Sequence, residues 1–227
     1  MPDYPANNPA GRVRNQPENN QRESSKPSFW DERYRAHERL FGEAPDPFLA
    51  DALRQLPRAP SVIDVGGGDG RNTLAEVAAC EGTLTVLDFA TSALDTAAAC
   101  AAQEQLPFAA LHADVRAWQP RKTYDAAVIA FVQLLPAERK QMYKCLRKAV
   151  RPGGHIIGLW FRGDHANDAY DRIGPSKPDR YVVPGELQEA FARDTIRQCA
   201  AVDRRVQQGP VLRGHAALIQ LHVIRKA

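Results

Sequence analysis

From residue 29 onward the apolar positions of the chain alternate between two spacings. Trp30, Tyr34, His37 and Phe41 recur at helical intervals and predict a short amphipathic helix. Asp46-Pro47 supplies an N-cap acceptor and a preset φ, which predicts a second helix through Leu49, Leu53 and Leu56, ended by Pro57. Residues 61–65 read as a buried strand. Four glycines follow at 66, 67, 68 and 70, and then Leu74, Val77 and Ala78 return to helical spacing. Residues 83–88 predict a second strand ending in a carboxylate. Thr91 or Ser92 opens a helix with Leu94, Ala97, Ala98 and Ala101 inward, and residues 107–112 form a third strand. Residues 124–131 are a strongly apolar fourth strand with Asp125 at its entry. Pro136 opens a helix with Met142, Cys145, Leu146 and Ala149 inward, stopped at Arg151-Pro152-Gly153-Gly154. Residues 156–160 predict a fifth strand, 184–193 a last helix, and 196–206 with 215–224 an antiparallel pair about Gly209-Pro210. Strands and helices that alternate in this way predict an α/β fold: a doubly wound, mostly parallel sheet of seven strands, the last pair antiparallel, with helices on both faces.

Residues 1–27 have no period and are rich in Pro, Asn, Gln and charge. They read as a disordered tail ahead of one domain over 28–227. Hydrophobic residues make up 44% and charged residues 25% of the 227, enough for an ample core. A formal net charge of +3 argues against a surface built for nucleic acid. Cys80, Cys100, Cys145 and Cys199 form no C-x-x-C pair, so no metal site is expected. Cys80, Cys100 and Cys145 fall in helical patterns as small buried hydrophobes, consistent with a reduced, cytoplasmic protein. The first 28 residues lack the apolar core of a signal peptide, and the longest apolar run is too short to span a bilayer. The segment 162–180 has no clear period, and its length marks it as functional or mobile.

Chemistry concentrates at the glycines. Bare backbone between a strand and a helix N-terminus lets a ligand approach closely and favours an anionic group. A dinucleotide turn wants G-x-G-x-x-G, and Gly66 and Gly68 fit its first two positions, but Arg71 stands where the third small residue belongs. Asp88 lies 18 residues beyond Gly70, at a strand end, where its two oxygens suit the two hydroxyls of a ribose. That feature does not separate a nicotinamide cofactor from S-adenosylmethionine.

Read from Asp64, the stretch D-x-G-x-G-x-G resembles the first motif of the class I S-adenosylmethionine-dependent methyltransferases. The linked features VIDVGGGDG, TVLD, ADV and RPGG extend the resemblance over residues 29–225. The segment FWDERYRAHERLFGEAPDPFL, with GRN after the glycines, further resembles the small bacterial tellurite-resistance methyltransferases and their thiopurine-methyltransferase-like relatives. Those proteins usually carry Cys and Glu where this chain has Gly67 and Asp69. Both replacements keep the turn short, so cofactor binding is expected to persist.

The resemblance implies a Rossmann-like fold and S-adenosyl-L-methionine as cofactor. The contacts it implies come from Asp64, Gly66, Gly68, Gly70, Arg71 and Asn72 around the glycine turn, from Asp88 and Phe89 after the second strand, and from Ala130 after the fourth. It also implies that Asp114 bonds the adenine amino group, that the Val115 backbone contacts the ring, and that Trp30, Arg33 and Tyr34 form a lid, with Arg33 on the cofactor carboxylate. Loops at strand ends carry sites in this fold, so His165, Arg213 and His215 are candidates near the acceptor.

Methyl transfer is an in-line displacement that mainly needs alignment in a dry pocket. Thiolates and selenolates need no base once deprotonated, and no catalytic dyad stands out. Ala130-Phe131-Val132-Gln133 lacks the Asn/Asp-Pro-Pro-Tyr/Phe signature of amide and base-amino methylation. The expectation is a small-molecule acceptor (a thiol, a chalcogen oxyanion or a small acid), with no nucleic acid and no membrane partner. A non-catalytic S-adenosylmethionine-binding domain would carry the same motifs. An NAD-dependent oxidoreductase is disfavoured by Arg71 and by the two leading helices, and an RNA methyltransferase by the weak net charge.

Overall fold

Five parallel strands carry the centre of the fold. The computed structural model describes residues 26–37, 39–166, 169–175 and 177–227. In chain order the elements are α1 (Pro27–Ala36), α2 (Pro47–Leu53), β1 (Ser61–Val65), α3 (Leu74–Ala79), β2 (Thr83–Asp88), α4 (Thr91–Gln103), β3 (Phe108–His112), β4 (Tyr124–Ala130), α5 (Pro136–Ala149), β5 (Val150–Phe161), α6 (Pro184–Ala190), β6 (Thr195–Gln208) and β7 (Leu212–Ile224), with 3-10 turns at Gly163–Ala166 and Pro178–Arg180. The sheet runs β3-β2-β1-β4-β5-β7-β6. β7 is antiparallel to β5, and β6 is antiparallel to β7 and forms the edge.

Alternation along the strands divides the core in two. Val62, Val86, Ala126, Val128, Ile157 and Leu159 pack beneath α2, α3 and α4, with Leu53, Val77 and Leu94. Ile63, Val65, Ala127, Ile129, Ile156 and Trp160 face α5 and α6, through Met142, Leu146, Leu187 and Phe191. Strands buried on both faces read as continuous apolar runs, as expected for parallel strands.

The structure corrects several boundaries. α1 ends at Ala36, so His37 and Phe41 fall outside it, although the Phe41 ring still lies 6.2 Å from Trp30 and 6.3 Å from Tyr34. α2 ends at Leu53, leaving Leu56 in the turn that follows. α5 ends at Ala149, and Arg151-Pro152-Gly153-Gly154 belongs to an extended β5. A proline fits extended backbone, and Gly153 takes φ +79° where the pairing with β4 shifts register between Tyr124 and Ala126. Only Cys145 is buried; Cys80 and Cys100 are partly exposed. Neither Thr91 nor Ser92 caps α4. Ser92 bonds Asp31 instead, its N–H and Oγ both 2.8 Å from Asp31 Oδ1, which ties α1 to α4. The expected tail over 1–27 lies outside the described residues except for Lys26 and Pro27, and Pro27 already opens α1. Among the described residues no helix is long and apolar enough to cross a membrane.

Candidate active site

The C-terminal ends of β1, β2 and β4 open into a cavity of about 170 Å³. This is where ligands bind in open α/β sheets, because the strand order reverses beside β1. Its wall includes Gly66, Asp88, Phe89, Asp114, Val115, Ala130, Arg71 and Asn72, with Trp30 and Tyr34 above them. These are ten of the fourteen positions that the resemblance implied for the cofactor.

The turn that makes the floor is strained in a way that only glycine tolerates. Gly66, Gly68 and Gly70 have φ of +67°, +58° and +72°. At Gly68 an added Cβ would lie 2.1 Å from the Tyr34 hydroxyl, so the lid side chain rests directly on bare backbone. Gly68 N–H donates to Asp88 Oδ2 at 2.8 Å, and Ala90 N–H donates to Oδ1 at 2.9 Å. Asp88 is 7% exposed, and burial raises its pKa against the pull of these backbone bonds.

Asp64, Arg33, Gly68 and Gly70 do not line the cavity. Asp64 lies beneath the turn, 1% exposed, and accepts a 2.8 Å bond from the Thr73 hydroxyl. Burial pushes its carboxyl up to about 7, the Thr73 bond opposing. The folded chain therefore keeps a proton that the unfolded chain releases near 3.8. Stability attributable to this group is full below that value and is lost as pH rises toward 7. Asp64→Asn keeps an acceptor for Thr73 and removes the titration. Calorimetric melts should show a flatter stability profile across that window and a higher Tm than the parent at pH 8; an unchanged profile would place the ionisation elsewhere.

Arg33 stacks over Phe29 and Trp30, with its guanidinium carbon 5.3 and 5.7 Å from the ring centroids. Arg71 and Asn72 touch the cavity but are committed to a buried knot. Arg71 donates to Ala44 O (2.6 Å) and Gln208 Oε1 (2.8 Å), Gln208 and Arg204 donate to Asp46 Oδ2, and Asp46 N–H donates to Asn72 Oδ1. The side chain that looked too large for a dinucleotide turn thus fastens the glycine turn to β6.

The substrate candidates lie elsewhere. His165 is 3% exposed and has both ring nitrogens occupied: Nδ1 accepts from Ala217 N–H, so the Nε2 proton goes to Ile173 O at 2.7 Å. His215 stacks on Tyr170, and Arg213 lines a separate polar depression with Asp171, Arg172 and Arg205.

Residues absent from the sequence-based set complete the wall: Phe41, Gly67, Asp69, Arg116, Phe131, Val132, Gln133, Leu134, Glu138 and Arg180. Gly67 and Asp69 lie inside the glycine motif and Phe131 to Gln133 directly after Ala130, so their neighbours pointed to them. Arg180 ends the long segment 162–180 that the sequence marks as functional or mobile, but nothing singles it out within that segment. Phe131 adopts φ +57°, costly for a bulky residue and typical of functional loops. Asp69 Oδ2 is buried without a partner. Such a site suits a ligand that brings hydroxyl and cationic donors.

Residues 62–154 match the family model described as a methyltransferase domain. No curated protein matches the chain. Among solved structures, TehB from Haemophilus influenzae superposes with a TM-score of 0.65 at 16% identity, over 78% of this chain and 61% of its own. The present chain therefore spans less than two thirds of that protein. A protein described for conversion of a disulfide bond into a thioacetal group during echinomycin biosynthesis gives 0.64 at 21% identity, over 88% of this chain and 93% of its own. An S-adenosylmethionine-dependent methyltransferase from Geobacter sulfurreducens, in complex with S-adenosyl-L-homocysteine, gives 0.56 at 17%, over 75% and 72%. Residues 62–154 thus match a methyltransferase domain, and the seven-stranded sheet around them has the fold of the S-adenosylmethionine-dependent methyltransferases it superposes on.

Proposed function

We propose that the chain methylates a small molecule, and that the cavity over β1, β2 and β4 holds both cofactor and acceptor. The observation that carries this reading is the enclosure of the wall. Trp30, Tyr34 and Phe41 roof the glycine turn, and Gln133 and Arg180 close the side beyond β4. When bound, S-adenosylmethionine supplies a methyl carbon on a sulfonium, taken by the acceptor as the C–S electron pair returns to sulfur.

The chain's own groups divide the remaining work. Asp88 accepts the ribose hydroxyls on the lone pairs that Gly68 and Ala90 leave free. Asp69, with an unpartnered oxygen, accepts from the amino acid ammonium. Asp114 and Val115 hold the adenine edge, and Arg116 holds the Asp114 carboxylate in place at 2.9 Å. Trp30, Tyr34 and Phe131 exclude water, which strengthens each of these contacts. The described residues of the wall include no histidine or lysine, which favours an acceptor already nucleophilic at neutral pH, such as a thiolate or a chalcogen oxyanion. The catalytic domain is proposed to occupy 28–227, with 1–27 outside it.

Titration calorimetry is expected to give micromolar binding of S-adenosylmethionine and none of NAD, unchanged in a chain begun at Lys26. Transfer of labelled methyl to a panel of thiols, selenite, tellurite and small acids is expected to mark at least one. Tighter binding of NAD than of S-adenosylmethionine, or labelling of RNA alone, would overturn the reading.

A further inference from the structure

We propose that Arg180 reads the acceptor's charge: the methyl acceptor carries an anionic pair of oxygens, a carboxylate or a comparable oxyanion, seated on the Arg180 guanidinium. This rests on the cavity being the place of methyl transfer. Three guanidinium groups reach the wall. Arg71 is spent on Ala44 O and Gln208. Arg116 holds Asp114 through Nε and Nη2. Arg180 donates only Nη1, at 2.9 Å, to Gln133 O, and its Nε is buried without a partner.

The missing partner has a recognisable shape. Elsewhere in this chain Arg54, Arg58, Arg116, Arg139 and Arg162 each hold a carboxylate on the Nε–Nη2 edge, with Glu76, Glu81, Asp114, Glu186 and Asp164 respectively. Arg180 offers the same two-pronged edge and has no carboxylate on it. A planar fork of this kind matches two oxygens of one group, and a buried donor left unpaired is costly until something fills it.

The position is built. Arg139 is 3% exposed and donates Nη1 to both Leu134 O and Asp179 O at 2.7 Å, which pins the residue before Arg180 to the loop after β4. The Gln133 bond then fixes the guanidinium itself. Position in the sheet assigns it to the acceptor. Asp88 and Asp114 follow β2 and β3 on one side of β1, whereas Gln133 follows β4 on the other, and Arg180 is bonded to Gln133.

The acids of the wall do not cancel this preference. Asp88 is held by two backbone N–H groups, Asp114 by Arg116, and Glu138 accepts Leu135 N–H at 2.8 Å. Asp69 lies in the glycine turn, on the cofactor's side.

The test uses full-length protein loaded with S-adenosylhomocysteine, titrated with 4-mercaptobenzoate, its neutral counterpart 4-mercaptobenzamide, and selenite; methyl transfer to the two thiols is followed with labelled S-adenosylmethionine. The acid or selenite should bind, and the acid at least tenfold more tightly than the amide. Arg180→Gln should raise the KM of the acid at least tenfold, with kcat within a few-fold and S-adenosylhomocysteine affinity within twofold, and leave the amide unaffected. Arg180→Lys keeps a donor for Gln133 O but has no fork, and should lose the acid preference while folding normally. Equal binding of acid and amide, no binding of either anion, or unchanged acid binding in both variants overturns the proposal. So does a tenfold loss of S-adenosylhomocysteine affinity in Arg180→Lys, which would give the arginine to the cofactor. Failure of the parent to bind S-adenosylhomocysteine would instead overturn the active-site reading itself.

Discussion

Gly68→Val is expected to abolish measurable cofactor binding, a loss of more than a hundredfold, in a chain that still folds. Two independent costs meet at this position. The backbone sits at φ +58°, where a residue with a Cβ costs about 1–2 kcal/mol and a β-branched one more. The new Cβ would also lie 2.1 Å from the Tyr34 hydroxyl and displace a side chain that lines the cavity. The two are separable. In a Tyr34→Phe background the hydroxyl is gone, and Gly68→Ala should recover part of the stability lost in the parent background, because the closest contact is removed and the ring carbon at 3.0 Å and the backbone strain remain. Calorimetry with S-adenosylhomocysteine, alongside circular dichroism melts, reads both effects. A folded Gly68→Val chain that binds normally would show the turn to be architecture alone.

Asp88→Ala carries the second large effect, and it acts on two quantities at once. Loss of the carboxylate removes the proposed ribose acceptors and should weaken S-adenosylmethionine by about ten- to a hundredfold, about 1.4 kcal/mol for each factor of ten. It also leaves the Gly68 and Ala90 N–H groups, both now bonded to it, without their acceptor. At about 1–3 kcal/mol for each unpaired donor, less where water reaches, the melting temperature should fall by about 5–10 °C. Asp88→Asn keeps one acceptor oxygen and should lose less of both. Unchanged affinity in Asp88→Ala would move the ribose contact elsewhere; unchanged stability would mean that water replaces the carboxylate at the turn.

Read from sequence alone, Asp88 is a strand-end acid that supports little of the core. The structure makes it a clamp, because one oxygen holds the glycine turn at Gly68 while the other holds its own loop at Ala90. The same gap separates the two readings of His165. A histidine in a long loop looks available, whereas in the fold Ala217 and Ile173 occupy both its nitrogens.

What the sequence by itself determined is everything carried by local spacing. The short apolar runs at β1, β2 and β4, the glycines between β1 and α3, and the carboxylate at the end of β2 depend on residues a few positions apart. They were enough for the fold class and for ten of the twenty residues of the cavity wall. The tertiary structure alone decided which polar side chains are free. Arg71 is 137 residues from Gln208, Asp46 is 158 from Arg204, and Arg180 is 47 from Gln133. Arginines of identical local character end in a structural knot or at a cavity wall according to which distant element packs beside them. A hydrogen bond depends on the final positions of donor and acceptor, and no periodicity along the chain records those.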